Sequence, residues 1–193
     1  MKRAFCYLII ACAWVAALPG PLVAETVALP AGLVVDLPEG WRVDGPAEGT
    51  LSVTGMRRIQ FVCETQACRR TLETCAILMN DERPDGADDA ARLRSLYESP
   101  HARYNRLRTV LKATSRDADI LKPLEIVRWG EREWYRVETD ARHNKKSGLF
   151  AETVIGGRYL GVICKTCEQG AERYRDGLAL IGSLRAAGAA PGP

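Results

Sequence analysis

The amino-acid sequence predicts an α+β fold in which helices flank an antiparallel sheet, as an α/β/α sandwich stabilised by disulfide bonds. Residues 123–164 alternate short extended segments with tight turns, which is typical of an antiparallel meander. Residues 88–113 and 168–185 carry apolar side chains at helical spacing. Cysteines cluster at 63–75 and at 164–167. Strands, helices, strands and a closing helix, in that order, indicate mixed layers of α and β structure.

A secretory leader is predicted at residues 1–24. Lys2 and Arg3 precede an apolar run that breaks at a Pro-Gly-Pro turn, and Ala24 offers a small residue at a cleavage point. The run is shorter than the ~20 residues that a helix needs to cross a bilayer. We therefore expect cleavage near Ala24, with a cut after Ala17 as the alternative. The mature chain is expected to be periplasmic or secreted, with no stable membrane span.

Loss of the leader changes the charge of the chain. It removes two basic residues and no acidic ones, which lowers the formal net charge from +3 to +1. A nearly neutral chain gives no electrostatic ground for binding nucleic acid. Residues 25–186 are long enough to form a single α+β domain with its own core. The small residues and prolines of the tail, 187–193, are expected to be disordered.

The amino-terminal half of the mature chain predicts short strands separated by turn residues. Gly, Pro and Asn interrupt the apolar segments every few residues, as in a sheet with tight connections. The segment 72–80 is apolar and closely bounded by turn residues, so we assign it to a strand and not to a helix. The expected strands are 26–37, broken at 30–32, then 41–43, 50–56, 58–64 and 72–80, with a polar loop at 64–71.

Two helices and a meander follow. Asp88 is a suitable cap for a helix that carries Leu93, Leu96 and Tyr97 on one face, and Ser99-Pro100 ends it. A second helix, about 101–113, places a stripe on its apolar side and basic residues on the other; the stripe is Tyr104, Leu107, Val110 and Leu111. Strands are expected at 124–129, 133–141, 149–155 and 158–164, followed by a helix at about 168–185.

Two segments of the chain resemble the PsbP-like superfamily. One is the extended segment that runs into a Pro-x-Gly-Trp turn, from Leu33 to Trp41. The other is the final hairpin and helix from Phe150 to Leu184, with a Tyr-Leu-x-Val strand and a Ser-Leu-Arg end. The resemblance implies an α/β/α sandwich and an accessory or binding protein, because members of that group are rarely enzymes. It carries over no site residues, and the cysteines depart from it.

Five cysteines remain after the leader is removed. In an oxidising compartment paired cysteines are the usual state, so we expect two disulfides and one free thiol. The sequence leaves their connectivity open. The candidates for disulfide or redox chemistry are Cys63, Cys68, Cys75, Cys164 and Cys167.

The pair Cys164 and Cys167 has the spacing of a redox motif. The predicted strand ends at Cys164 and the predicted helix begins near Cys167, where the helix dipole would lower the pKa of a thiol. Too few residues follow Cys167 to complete a thioredoxin fold after its motif. We therefore favour a structural disulfide, either within this pair or to the 63–75 cluster.

The remaining polar residues predict no cofactor and no metal site. A structural zinc site usually has two close cysteine pairs, and oxidation competes for thiols that could hold Cu(I). His101 and His143 are expected at the surface. The basic residues in 103–116 and 142–146 are typical of solvated faces, although an anionic partner would also explain them.

These observations together predict an exported accessory or binding protein, more probably without catalysis than an enzyme. Its partner is expected to be a protein or a small ligand. The alternative is a thiol-redox or metal-handling protein that uses Cys164 and Cys167.

Overall fold

The computed structural model describes residues 25–51, 55–80, 83–114, 118–141, 146–168 and 173–189. The predicted leader and its cleavage points, His143, and residues 190–193 of the tail lie outside these ranges. The strands are β1 Glu25–Leu29, β2 Leu33–Leu37, β3 Trp41–Asp44, β4 Thr50–Leu51, β5 Arg57–Cys63, β6 Thr74–Met79, β7 Ala118–Trp129, β8 Arg132–Ala141, β9 Lys146–Ile155, β10 Arg158–Thr166 and β11 Arg185–Ala186. The helices are α1 Gln66–Thr71, α2 Asp89–Ser95, α3 Pro100–Thr114 and α4 Arg175–Ser183, and a 3-10 turn spans Pro30–Gly32.

The strands form two antiparallel sheets. The larger sheet has the order β3-β5-β6-β10-β9-β8-β7, and β4 adds to β5. The smaller sheet has the order β1-β2-β11. Every strand pair in both sheets is antiparallel. The predicted mixed α+β fold with an antiparallel sheet and disulfides is therefore confirmed.

Both faces of the larger sheet are covered at its centre. Alternate residues of a strand point to opposite faces, so β9 and β10 contribute to two separate cores. One core lies against α4 and the smaller sheet and includes Leu149, Ala151, Leu160 and Val162. The other lies against α2 and α3 and includes Phe150, Val154, Tyr159 and Ile163. A small sheet and one short helix cover the first face, so the chain contains more strand than the sandwich expectation implies.

The helices of the middle segment follow the expected pattern with one exception. Asp88 caps α2, because its carboxylate accepts a hydrogen bond from the Ala91 N–H at 2.7 Å. Leu93 is buried, and Leu107 packs against the sheet as predicted. Tyr104 was expected on the same stripe but is 58% exposed. The side chains of Val110 and Leu111 lie outside the described part of the chain.

The structure corrects two sequence expectations in the cysteine-rich regions. The polar segment 64–71 was predicted as a loop, but it contains α1. Thr65 caps this helix by accepting from the Cys68 N–H at 3.3 Å, and Leu72 ends it in the left-handed conformation. Hydroxyl capping allows a short polar helix to form without an apolar stripe.

The closing helix is shorter than predicted. It was expected from 168 to 185, but α4 begins at Arg175, directly after Tyr174 in a left-handed conformation with φ of 64°. The helix ends at Ser183, and the next residues turn into β11, which pairs with β2. The strand expected at 50–56 is also short, since β4 covers Thr50–Leu51 and residues 52–54 are not described. In the described ranges, no helix is both long and apolar enough to span a membrane.

Candidate functional site

The five cysteines of the mature chain separate into two disulfides and one thiol. Cys75 and Cys164 lie opposite each other on β6 and β10 and form a fully buried disulfide. Cys63, at the end of β5, is bonded to Cys68 in α1. Cys167 is a partly exposed free thiol. The expectation of two disulfides and one free thiol agrees with this arrangement.

Cys164 and Cys167 do not form a pair in this structure. Cys164 is bonded to Cys75, and the Cys167 N–H donates to the carbonyl oxygen of Thr71 at 2.6 Å. Because α4 begins at Arg175, Cys167 does not lie at a helix N-terminus. The helix-dipole argument for a lowered thiol pKa therefore does not apply to Cys167. Thiol chemistry at this pair would first require the buried Cys75–Cys164 bond to break.

Possible metal ligands meet at one point of the described chain. The sulfur atoms of Cys63 and Cys68 and a carboxylate oxygen of Asp176 lie within 4.8 Å of one another. The two sulfurs are bonded to each other, and metal ions are held by thiolates. His101 is exposed on α3 and is hydrogen-bonded to Asn105 at 2.9 Å. This group could hold a metal ion only after its disulfide is reduced.

A cavity of about 550 Å³ lies between α3 and the larger sheet. Apolar and polar side chains share its wall, and α3 contributes four of them. The apolar lining residues are Met56, Leu78, Leu96, Ala102, Phe150 and Ile163, and the polar ones are Asn80, Asn105, Arg106, Thr109, Glu152 and Tyr159. Small-molecule sites usually have this character, with a mainly apolar wall and a few converging polar groups.

The buried carboxylate of Glu152 organises one wall of the cavity. Glu152 is 2% exposed and lies on β9, within an otherwise apolar stretch. Its oxygens accept hydrogen bonds from the hydroxyl of Tyr97, from the hydroxyl of Tyr159 at 2.6 Å and from Nη1 of Arg106 at 2.9 Å. We call these four residues the Glu152 cluster. A buried carboxylate is stable only with such compensation, so the cluster holds its members in one geometry.

Arg106 connects α3 to the sheet. Its guanidinium lies 5.4 Å from the ring centroid of Tyr97 and 5.5 Å from that of Tyr159, and its Nε donates to the Leu96 carbonyl at 3.3 Å. Arg103 adds a second link, because its Nε donates to the Tyr97 carbonyl at 2.6 Å. A long charged side chain that reaches from helix to sheet separates the two layers. The cavity lies in this separation.

The burial of Tyr97 and Glu152 affects the ionisation of the cluster. Desolvation raises the pKa of the Tyr97 hydroxyl well above its usual range, and the negative charge of Glu152 raises it further. Tyr97 is therefore a permanent hydrogen-bond donor to Glu152 at physiological pH. Its ring also packs against Tyr135 of β8, with ring centroids 3.8 Å apart.

A second buried carboxyl group lies on the opposite side of the sheet. Glu73 is 5% exposed and accepts a hydrogen bond from the Gly177 N–H, in the first turn of α4, at 3.0 Å. Burial raises the pKa of Glu73 to about 7, although the bond from Gly177 opposes this shift. A Cβ at Gly177 would lie 3.0 Å from the sulfurs of both Cys75 and Cys164, so this carboxyl group packs beside the buried disulfide.

Sequence reasoning placed the chemistry at the cysteines and missed the cavity. Leu96 and Tyr97 were expected in the core, and Arg106 was expected on a solvated basic face. One signal was present in the sequence: Glu152 is an ionisable residue in the middle of a strand that is otherwise apolar on both sides. Such a residue must have buried partners, but the strand pattern alone does not identify them.

Comparison with known proteins extends to the fold alone. No family model matches the chain, and no curated protein matches it. The fold is similar to the crystal structure of a protein from Bacteroides thetaiotaomicron VPI-5482, with a TM-score of 0.52 and 12% sequence identity. The similarity covers 86% of this chain and 49% of that one, so this chain spans about half of the Bacteroides protein. At this identity the likeness concerns architecture and carries no ligand or activity across.

Proposed function

We propose that this protein is an exported binding protein whose ligand site is the cavity between α3 and the larger sheet. The observation that carries the proposal is the cavity itself, about 550 Å³ in volume with an apolar wall and a polar cluster. Pockets that bind small molecules usually have volumes of about 300–1,000 Å³. The ligand is accordingly a small molecule with a largely apolar surface.

The Glu152 cluster supports a binding role over a catalytic one. The carboxylate oxygens of Glu152 accept from three donors, so this group is engaged in holding the wall of the cavity. A general base needs an acceptor that can reach the substrate proton. A rigid wall with fixed hydrogen bonds suits recognition, because it lowers the entropic cost of ordering the site when a ligand binds.

Export and family membership are part of the same proposal. The leader at 1–24 predicts export, and two disulfides are compatible with an oxidising compartment. The PsbP-like resemblance rests on its two motifs, and the packing of α2 and α3 on one face and α4 on the other supports a sandwich of that kind. Amino-terminal sequencing of the exported chain tests the leader, with Glu25 as the expected first residue.

Dye binding tests the ligand site. Nile red is an uncharged dye whose emission rises in apolar surroundings, and we expect it to bind the wild-type chain. Ala102→Phe adds a ring to the wall of the cavity from α3 and should abolish the signal. The control is Ala47→Phe, which adds the same ring at an exposed loop position and should change nothing. Equal dye binding by the wild type and Ala102→Phe would overturn the proposal.

A further inference from the structure

We infer that the ligand of this cavity is an uncharged amphipathic molecule, bound with its polar group toward Tyr159 and Asn80 and its apolar part toward Phe150 and Ile163. This inference rests on the proposed function and adds the chemical class and the orientation of the ligand. Two features of the described lining carry it, the charge of the wall and the order of the side chains along the sheet.

The charges on the described lining compensate each other. The lining contains one cation, Arg106, and one anion, Glu152, and their Nη1 and Oε1 atoms are 2.9 Å apart. Because Glu152 accepts from Arg106 and from two tyrosine hydroxyls, a cationic ligand would meet a carboxylate that is already neutralised. An anionic ligand would meet a guanidinium that is already paired. Either ion would lose its hydration in a mainly apolar cavity without a counterion, and that desolvation is costly.

The order of the residues along the sheet gives the cavity two different ends. Phe150 of β9 lies opposite Ile163 of β10, and both are apolar. Tyr159 lies opposite Val154, and Asn80 directly follows β6 at the same edge of the sheet. Four residues of an extended strand separate Phe150 from Val154, a distance of about 13 Å.

The middle of the cavity floor forms a transition between these two ends. Leu78, Gly161 and Glu152 form one row across β6, β10 and β9. The absence of a side chain at Gly161 leaves space above the sheet, and the phenol end of Tyr159 extends into it to reach Glu152. A ligand therefore passes from an apolar floor to hydrogen-bonding groups within one cavity.

The outer basic residues of α3 favour a different ligand. Arg103 and Arg108 are exposed and would attract an anion to the mouth of the cavity. Charges exposed to solvent are screened within about 8 Å at physiological ionic strength. The desolvation of the ligand inside the cavity is unscreened and therefore decides its affinity.

Competition with Nile red by matched compounds tests the inference. Decanamide, decanoate and decyltrimethylammonium share a ten-carbon chain and differ in the charge of the head. We expect decanamide to displace the dye from the wild-type protein at concentrations about tenfold lower than either ion, because neither ion finds an unpaired countercharge. Stronger displacement by decanoate or by decyltrimethylammonium would overturn the inference.

Two variants sharpen the test. Arg106→Gln leaves Glu152 without its cation and should shift the preference toward decyltrimethylammonium, whereas Glu152→Gln should shift it toward decanoate. If both variants keep the wild-type order, the Arg106–Glu152 pair does not set the preference and the inference is wrong. If no compound displaces the dye from the wild type, the ligand class is wrong, while loss of dye binding in Ala102→Phe still supports the cavity as the site. Where a variant does not fold, the wild-type series alone decides.

Discussion

The phenol end of Tyr159 occupies the space that a side chain at Gly161 would need. A Cβ at Gly161 would lie 2.8 Å from Oη of Tyr159 and 3.4 Å from Cζ. The two residues are on the same face of β10, two positions apart. The missing side chain at Gly161 allows Tyr159 to bend along the strand and donate to Glu152. One small residue therefore shapes both the Glu152 cluster and the floor of the cavity.

Gly161→Ala is expected to destabilise the protein by about 1–3 kcal/mol, because the added methyl group forces Tyr159 away from Glu152. Urea unfolding measures this loss. The matched control is Gly182→Ala, where no atom lies within 4 Å of the added Cβ and the residue belongs to α4. There alanine should be neutral or slightly stabilising, because it has the higher helix propensity. Equal effects of the two substitutions would show that Tyr159 does not depend on the space at Gly161.

The fold was predictable from local patterns, and the site was not. The strands at 72–80 and 149–155 and the helix capped by Asp88 follow from apolar spacing and capping, which are properties of neighbouring residues. The start of α4 was missed because Tyr174 adopts a left-handed conformation that its residue type does not predict.

The Glu152 cluster depends on contacts between distant parts of the chain. Tyr97 and Glu152 are 55 residues apart, and Arg106 and Glu152 are 46 residues apart. No periodicity within a single element reports such a contact. The disulfide partners of Cys63 and Cys75 depend in the same way on which strands become neighbours, so the sequence gave their number without their connectivity.

The ion pair between Arg106 and Glu152 is expected to contribute measurably to stability. A double-mutant cycle with Arg106→Gln and Glu152→Gln should give a coupling energy of about 1–3 kcal/mol, since Glu152 is buried and Arg106 is mostly so. Each single variant leaves one charge without its partner. The comparison pair is Arg42 and Glu64, whose side chains are 50% and 60% exposed. Solvent screens that pair, so its coupling should be smaller. A larger coupling for the exposed pair would contradict this account.

The two disulfides should contribute unequally to stability. Cys75 and Cys164 are separated by 89 residues, whereas Cys63 and Cys68 are separated by 5. A cross-link restricts the unfolded chain more when it closes a longer loop, by about 4.5 kcal/mol and about 2 kcal/mol for these loops. Replacement of each pair by alanine, followed by urea unfolding, measures the difference.

Reduction should follow accessibility in the folded protein. Cys75 and Cys164 are fully buried and Cys63 is partly exposed, so mild dithiothreitol should open the Cys63–Cys68 bond first. Alkylation and mass mapping of the native protein report the order. Protected Cys75 and Cys164 with alkylated Cys167 are the expected result. A partly reduced pair of Cys164 and Cys167 would support the thiol-redox alternative instead.

Glu73 should make the protein less stable at alkaline pH. Its folded-state pKa is raised to about 7 from an ordinary value of 4.5, so the folded chain holds a proton that the unfolded chain releases. The stability from the protonated carboxyl group is complete below pH 4.5 and is lost as the pH rises through 7. The charged groups around it are Asp176 and Glu168, which raise its pKa, and Arg175, which lowers it.

Glu73→Gln separates this effect from the hydrogen bond to Gly177. The glutamine oxygen can still accept from the Gly177 N–H at the start of α4, but the side chain carries no charge at any pH. At pH 8 the variant should be more stable than the wild type by about 2 kcal/mol, from about 1.4 kcal/mol for each pKa unit reduced for partial solvent access. At pH 5 the two proteins should unfold at similar urea concentrations. Glu39→Gln, at an exposed position, should show no such dependence on pH. A constant difference between Glu73→Gln and the wild type from pH 5 to pH 8 would mean that Glu73 does not titrate within the folded protein, and that its role is limited to the hydrogen bond that begins α4.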